Sequence, residues 1–390
     1  MASTPTNGDD VIFGTDADNT INALAGDDLV FGGLGDDTLK GSTGDDTLSG
    51  GLGVDFLVGG SGSDTAFYGF AVDAISADLR FGGYVNALGL DDYDYYFSIE
   101  NLSGGFGNDE LRGNENANKI FGNSGDDVIH GREGNDTLTG GNGDDTIFGE
   151  SGNNNIDGGA GNDRVTGGSG GDTMKGGLGN DSLDYSSSRL GVTIDLGFNT
   201  ASGGIANGDS ISGFENVTGT FSNDTLSGTR GANNLLGLDG NDALDGRGGD
   251  DKLFGADGDD TISGGSGGDL IAGSTGVDNL TGGTGTDHFE FRSITDSGLA
   301  PGLRDVITDF EQGLDRIEVS AIDANEATVA DESFAFIGTA DFTSGVAGEV
   351  RYTQLNGKTI ISFRIDDAGN ADMRIVLDDL VNLTAADFLL

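Results

Sequence analysis

From Gly32 the sequence reads GGLGDDTLK, GSTGDDTLS, GGLGVDFLV and GGSGSDTAF, one nine-residue unit repeated without a gap. Numbered one to nine, the unit carries Gly at one and four, an acid at six and an apolar residue at eight. Three blocks obey it. Position eight runs from Ile12 to Ala66, from Leu111 to Leu183 and from Leu226 to Phe289, 24 units in all. A period this short cannot build one globular core. It specifies a solenoid in which each unit packs only on its neighbours.

The spacing sets the local structure. Three residues such as Thr47-Leu48-Ser49 make a very short strand whose middle side chain points inward. The other six must reverse the chain, and the glycines supply the backbone conformations this needs. Two units then form one coil of 18 residues, and turns on the same side stack at about 4.8 Å. Position six therefore meets its counterpart 18 residues away. It is Asn at Asn19, Asn118, Asn154 and Asn233 and Asp in every other unit. The candidate ligands are Asp10, Asp28, Asp37, Asp46, Asp55 and Asp64 in the first block. In the second they are Asp109, Asp127, Asp136, Asp145, Asp163, Asp172 and Asp181. In the third they are Asp224, Asp242, Asp251, Asp260, Asp269, Asp278 and Asp287. Carboxylates stacked this closely repel unless a cation lies between them. A cage of carboxylates and turn carbonyls, oxygen only, favours Ca²⁺.

The charge agrees. With 67 acids against 18 bases the formal net charge is −49. Same-side pairs would take up about 18 Ca²⁺ and leave roughly −13, an ordinary value for a folded protein. A disordered Gly/Asp linker would carry similar charge but has no reason to keep an apolar residue at every ninth position. Nucleic acid is excluded as a partner by this charge. Without Cys there are no disulfides or thiolate sites, and no window is apolar enough for a transmembrane segment.

The unit resembles the nonapeptide G-G-x-G-x-D-x-U-x of the RTX family of calcium-binding proteins. The resemblance covers residues 7–66, 104–184 and 219–290. It implies an all-β fold: a right-handed parallel β-roll, or β-helix solenoid, in three blocks with calcium in the turns, plus a small C-terminal β domain. It also implies that carbonyls of positions one to four join the two position-six carboxylates around each ion.

The expected organisation is a first RTX block at 1–66, an interlude at 67–103, a second block at 104–184, an interlude at 185–218, a third block at 219–290 and a C-terminal β domain at 291–390. The interludes resemble each other. Ser76-Ala77-Asp78-Leu79 parallels Thr193-Ile194-Asp195-Leu196, and Glu100-Asn101-Leu102 parallels Glu215-Asn216-Val217. Both are expected to form wider, metal-free coils. The first holds Tyr68, Tyr84, Tyr93, Tyr95 and Tyr96, read either as filling for that coil or as a glycan-binding platform. The run Asp91 to Asp94 lacks the spacing of a known calcium loop and reads as a solvated turn.

Past residue 290 glycine thins and alternating apolar strands appear. Asp305-Val306-Ile307-Thr308-Asp309-Phe310 and Gly313-Leu314-Asp315-Arg316-Ile317 resemble the C-terminal region of serralysin-type secreted proteins. The ending, Asp387-Phe388-Leu389-Leu390, resembles the signal of type I secretion substrates, and no N-terminal secretory signal is evident in residues 1–13. The resemblance thus implies export by type I secretion machinery to the extracellular space.

Catalytic patterns are not expected. His130 and His288 lie outside any H-E-x-x-H motif. The two G-x-S-x-G matches place Ser169 and Ser266 at position three of a repeat turn rather than on a strand-to-helix elbow. The expectation is a non-enzymatic secreted protein that folds on binding Ca²⁺ and has a structural, matrix or adhesion role, with extracellular polysaccharide or a cell surface as partner. A membrane-acting effector and a polysaccharide-modifying enzyme, or its carbohydrate-binding accessory, are the alternatives.

Overall fold

The computed structural model describes residues 5–85, 93–325, 332–366 and 370–390, with the backbone alone for Gly82–Val85. Asp91 and Asp92 of the acidic run, and the side chain of Tyr84, lie outside the described residues. The described chain is strand and turn, with two short 3-10 turns at Gly204–Ala206 and Ala385–Asp387. It divides into two compact units, Met1–Leu183 with Ala206–Phe214, and Asp184–Ile205 with Glu215–Leu390.

Each unit is a parallel β-roll. In the first, Leu29–Leu34 pairs in parallel with Thr47–Leu52, placing Val30 beside Leu48. On the opposite ladder Thr38–Thr43 pairs with Val54–Ser61, placing Leu39 beside Leu57. Successive repeats therefore alternate between two ladders, and each ladder advances by 18 residues. The second unit repeats this arrangement, with Leu253 beside Ile271 and Ile262 beside Leu280. Side chains alternate along each strand, so position eight alone faces inward. Val30, Leu39, Leu138 and Leu253 are fully buried. The core is a column one side chain wide.

The interludes do not form the expected wider coils. In the first, Ile75–Asp78 pairs in parallel with Glu110–Arg112, while Gly82–Val85 runs antiparallel beside it. Tyr93–Phe97 then pairs antiparallel with Gly82–Val85 and parallel with Val54–Ser61. The chain steps ahead and folds back through a three-stranded meander. The other ladder gains a single strand, Asn101–Ser103, which pairs directly with Thr65–Phe67. The physical reason is the loss of the paired turn glycines: without them the chain reverses in the plane of the sheet. The second interlude repeats part of this pattern. Thr193–Asp195 pairs antiparallel with Thr200–Ser202 and parallel with Thr225–Ser227. Ser210–Ser212, counted with the first unit, pairs in parallel with Thr173–Leu178.

The tyrosines of the first interlude separate by face. The Tyr68 hydroxyl donates to Asp94 Oδ2 at 2.5 Å and bonds to the Tyr96 hydroxyl. Tyr95, on the outer face, stacks on Phe56 with ring centroids 5.0 Å apart.

Residue 290 does not end the roll. Val306–Ile307 pairs in parallel with Asn279–Thr284, and Arg316–Glu318 with His288–Glu290. Beyond them Glu349–Leu355, Lys358–Arg364 and Met373–Leu377 form an antiparallel sheet. Its last strand also pairs in parallel with Val306–Ile307. Phe388–Leu389 closes the other ladder against Arg316–Glu318. Phe334, Phe363 and Phe388 pack together in this region's core.

Candidate metal sites

Each turn is shaped by its glycines. In the turn Gly140 to Asp145, Gly141 and Gly143 have φ of 127° and 124°. A Cβ on Gly143 would lie 2.2 Å from the Gly125 carbonyl oxygen one coil back, a contact only glycine avoids. Gly140 serves differently. A Cβ there would lie 2.2 Å from Asp145 Oδ2 and 2.5 Å from the Gly158 carbonyl oxygen. The missing side chain leaves a cradle lined by carboxylate and carbonyl oxygens.

The position-six carboxylates form ladders. The Asp127 N–H donates to Asp145 Oδ1 at 2.8 Å, and the Asp145 N–H to Asp163 Oδ1 at 2.8 Å. Asp28 and Asp46, Asp37 and Asp55, Asp163 and Asp181, Asp242 and Asp260, and Asp251 and Asp269 are joined the same way. One oxygen of each acid thus faces the preceding coil. The other is buried and lacks a hydrogen-bond partner at Asp28, Asp37, Asp46, Asp64, Asp127, Asp136, Asp145, Asp163 and Asp172. The same holds at Asp242, Asp251, Asp260, Asp269, Asp278 and Asp287.

Burial raises the pKa of these acids, and neighbouring carboxylates raise many of them further. Asp127 is pushed up to about 8, Asp145, Asp242, Asp251 and Asp278 to about 7, and Asp64, Asp136, Asp163, Asp260 and Asp287 to about 6. The N–H bond from the preceding coil offsets part of this.

Asp10, Asp109 and Asp224, which open the three blocks, differ. Their Oδ2 atoms accept N–H bonds from their own turns, from Thr6 at 2.5 Å, Gly105 at 2.7 Å and Thr220 at 2.5 Å. The asparagines that follow them also close inward. Asn118 and Asn233 donate their side-chain N–H to the Glu100 and Glu215 carbonyls, each at 2.7 Å. Asn19 donates to Thr15 Oγ1 at 3.0 Å. These turns satisfy their own polar atoms.

Two groups of residues escaped the sequence reading. Position five forms an outer ladder of opposite sense: the Asp144 N–H donates back to Asp126 Oδ1 at 2.9 Å, and the Asp45 N–H to Asp27 Oδ1 at 2.8 Å. The recurring Asp-Asp pairs were the available signal. Asp305 and Asp315 extend the inner ladders, accepting from Asp278 and Asp287 at 3.0 and 3.1 Å. Asp305 Oδ2 is buried without a hydrogen-bond partner, and burial pushes that acid up to about 8.

The donor set fits a hard cation. Buried carboxylate oxygens without partners beside turn carbonyls match the all-oxygen chemistry of Ca²⁺. Among the described residues no three His, Cys, Asp or Glu side chains converge as a metal cluster. Each cradle instead combines carboxylates with backbone oxygen, and the ion when bound would supply the positive charge that the ladders lack.

Repeated oxygen cradles along a parallel β-roll define a class, the cation-loaded repeat solenoid. The family comparison makes it specific. The RTX calcium-binding nonapeptide repeat matches residues 4–39, 31–66, 98–129, 121–156, 148–183, 218–253 and 254–289, together more than half of the chain. The chain belongs to this family and is a calcium-binding repeat protein.

Among solved structures it is similar to the R3 subunit of the AlgE6 mannuronan C5-epimerase of Azotobacter vinelandii. Identity is 27% and the TM-score 0.24, over 43% of this chain and 78% of that one. The R2 subunit of the same enzyme gives 26% and 0.24 over 44% and 90%. The extracellular lipase LipA of Serratia marcescens gives 18% and 0.21 over 68% of this chain and 40% of that one. A search of curated proteins finds no match.

Proposed function

We propose that this is a secreted extracellular protein that folds on Ca²⁺ after export by type I secretion machinery. Its role is structural: a matrix or adhesion component facing polysaccharide or a cell surface, without catalytic activity. The observation that carries the reading is the buried, unpartnered Oδ2 atom repeated along the ladders. A core one side chain wide offsets little of the chain entropy and carboxylate repulsion. Folding therefore waits for the cation, at roughly 10⁻⁴–10⁻³ M for extracellular modules. At the low Ca²⁺ of a cytosol the chain stays extended enough to be threaded.

The C-terminal end supports the same order of events. Phe388 is buried, and Asp387 Oδ1 accepts the Gly313 N–H at 3.0 Å. Those terminal residues are accessible to an export machine only before the ladder closes. Circular dichroism with chelator and then with Ca²⁺ tests the coupling; a complete β spectrum in chelator, unchanged by Ca²⁺, would sink it. Deleting residues 383–390 is expected to abolish export, and undiminished export would overturn the signal assignment.

A further inference from the structure

Arginine is scarce in this chain, yet three arginines converge on one cleft in the C-terminal region. Arg304, Arg351 and Arg374 line a cavity of about 460 Å³ on the antiparallel sheet. Strand register fixes two of them: Arg351 and Arg374 stand directly beside Ser362, one on each neighbouring strand. Arg304 enters from the preceding loop and is almost wholly buried. Its Nε donates to the Leu299 carbonyl at 2.9 Å, and Arg374 Nη1 donates to the same oxygen at 3.3 Å. That carbonyl carries no full charge to offset them. Among the described residues only Arg351 of the three forms an ion pair, with Asp341 at 2.5 Å, and the Asp341 side chain is 96% exposed.

We propose that this cleft binds the carboxylate of an acidic saccharide, a uronate within an oligosaccharide. Guanidinium forks match a planar carboxylate. The remaining wall has the two textures a sugar ring needs. Thr353, Ser362 and Asn370 present hydrogen-bonding groups, and Leu355, Ile360 and Phe342 present apolar surface. The volume lies within the usual range for small-ligand sites. A densely charged polyanion is disfavoured, because the rest of the molecule is strongly negative. A short uronate oligosaccharide, with few carboxylates in all, meets this condition. The cleft adjoins the ladder at Asp305, next to Arg304, but does not depend on the proposed role of the roll.

The test is calorimetric titration of the full chain, saturated with Ca²⁺, with a uronate trisaccharide. Inorganic phosphate, sulfate, a neutral trisaccharide and a short acidic peptide serve as parallel probes. Expected is one uronate site, weakened at least tenfold in Arg351→Gln/Arg374→Gln with the calcium-loaded β spectrum retained. Thr353→Trp, which plugs the exposed wall without removing charge, is expected to abolish binding, and it serves alone if the double variant fails to fold. Four results would overturn the proposal. They are no uronate binding, equal binding of the neutral sugar, tighter binding of phosphate, sulfate or peptide, and uronate binding unchanged by either variant, which would locate it at the calcium of the roll.

Discussion

Arg132 grips Asp78 with two parallel hydrogen bonds, Nη1 to Oδ1 at 2.8 Å and Nη2 to Oδ2 at 2.6 Å. Its Nη1 also donates to the Gly113 carbonyl at 2.7 Å. Arg247 makes the same three contacts, to Asp195 at 2.8 and 2.5 Å and to Gly228 at 3.0 Å. Both arginines occupy position two of a repeat, with φ of 74° and 70°. Elsewhere the position-one carbonyl lines a cation cradle. At these two junctions it meets a guanidinium attached to the chain, next to the turns that Asn118 and Asn233 close. Each interlude is thus pinned to the roll by a built-in cation.

Replacing Arg132 by Gln leaves Asp78 half-buried with no counter-charge. Side-chain exposure is 18% for both partners, so solvent screens the pair only in part. Loss of about 2 kcal/mol in unfolding free energy is expected at saturating Ca²⁺. Urea unfolding of Arg132→Gln, Asp78→Asn and the double variant measures the coupling. Additive losses would show that the two side chains do not act as a pair.

The glycine of position one offers a sharper probe of a single cradle. In Gly140→Ala the new methyl would crowd Asp145 Oδ2 and the Gly158 carbonyl oxygen. The variant is expected to bind one Ca²⁺ fewer than the parent by native mass spectrometry. Gly8→Ala, where nothing lies within 4 Å of the added carbon, should keep the full count. An unchanged count in Gly140→Ala would mean that the cradle does not hold the ion.

The column of buried side chains and the position-six ladders were legible because both follow from one period. A strand of three residues and an 18-residue coil leave position eight only one place to point. What stayed hidden depends on pairings that the period does not encode. Asp305 and Asp315 join the ladders at separations of 27 and 28 residues, where the 18-residue coil set by the period does not place them. The meander of the first interlude places Tyr93–Phe97 beside Val54–Ser61, ahead of the strand that precedes it in sequence. Arg132 and Asp78 lie 54 residues apart and meet only because that meander carries Asp78 forward. The Oδ2 caps on Asp10, Asp109 and Asp224 are local, but the spacing of the acids alone does not distinguish them.

Protons should substitute in part for calcium. Burial and neighbouring carboxylates raise the folded-state pKa of Asp127 to about 8 and of Asp145, Asp242, Asp251 and Asp278 to about 7. The same groups in an unfolded chain titrate near ~3.9. Folding without metal therefore takes up protons. Above the folded-state values the ionised ladders oppose folding. As pH falls through that range toward the unfolded value, the opposition is progressively relieved. Asp195 behaves oppositely: burial raises its pKa, but hydrogen bonds and the charge of Arg247 outweigh this and lower it, so its clasp survives acidification to below the ordinary carboxylate range. Metal-free protein is expected to gain β signal in far-ultraviolet circular dichroism as pH is lowered from about 8 toward about 5, short of the isoelectric region near 4.1. Ca²⁺ affinity should weaken over the same interval, since protons and the ion compete for the same oxygens. A metal-free β signal that falls on acidification would show that the ladders are not what keeps the calcium-free chain unfolded.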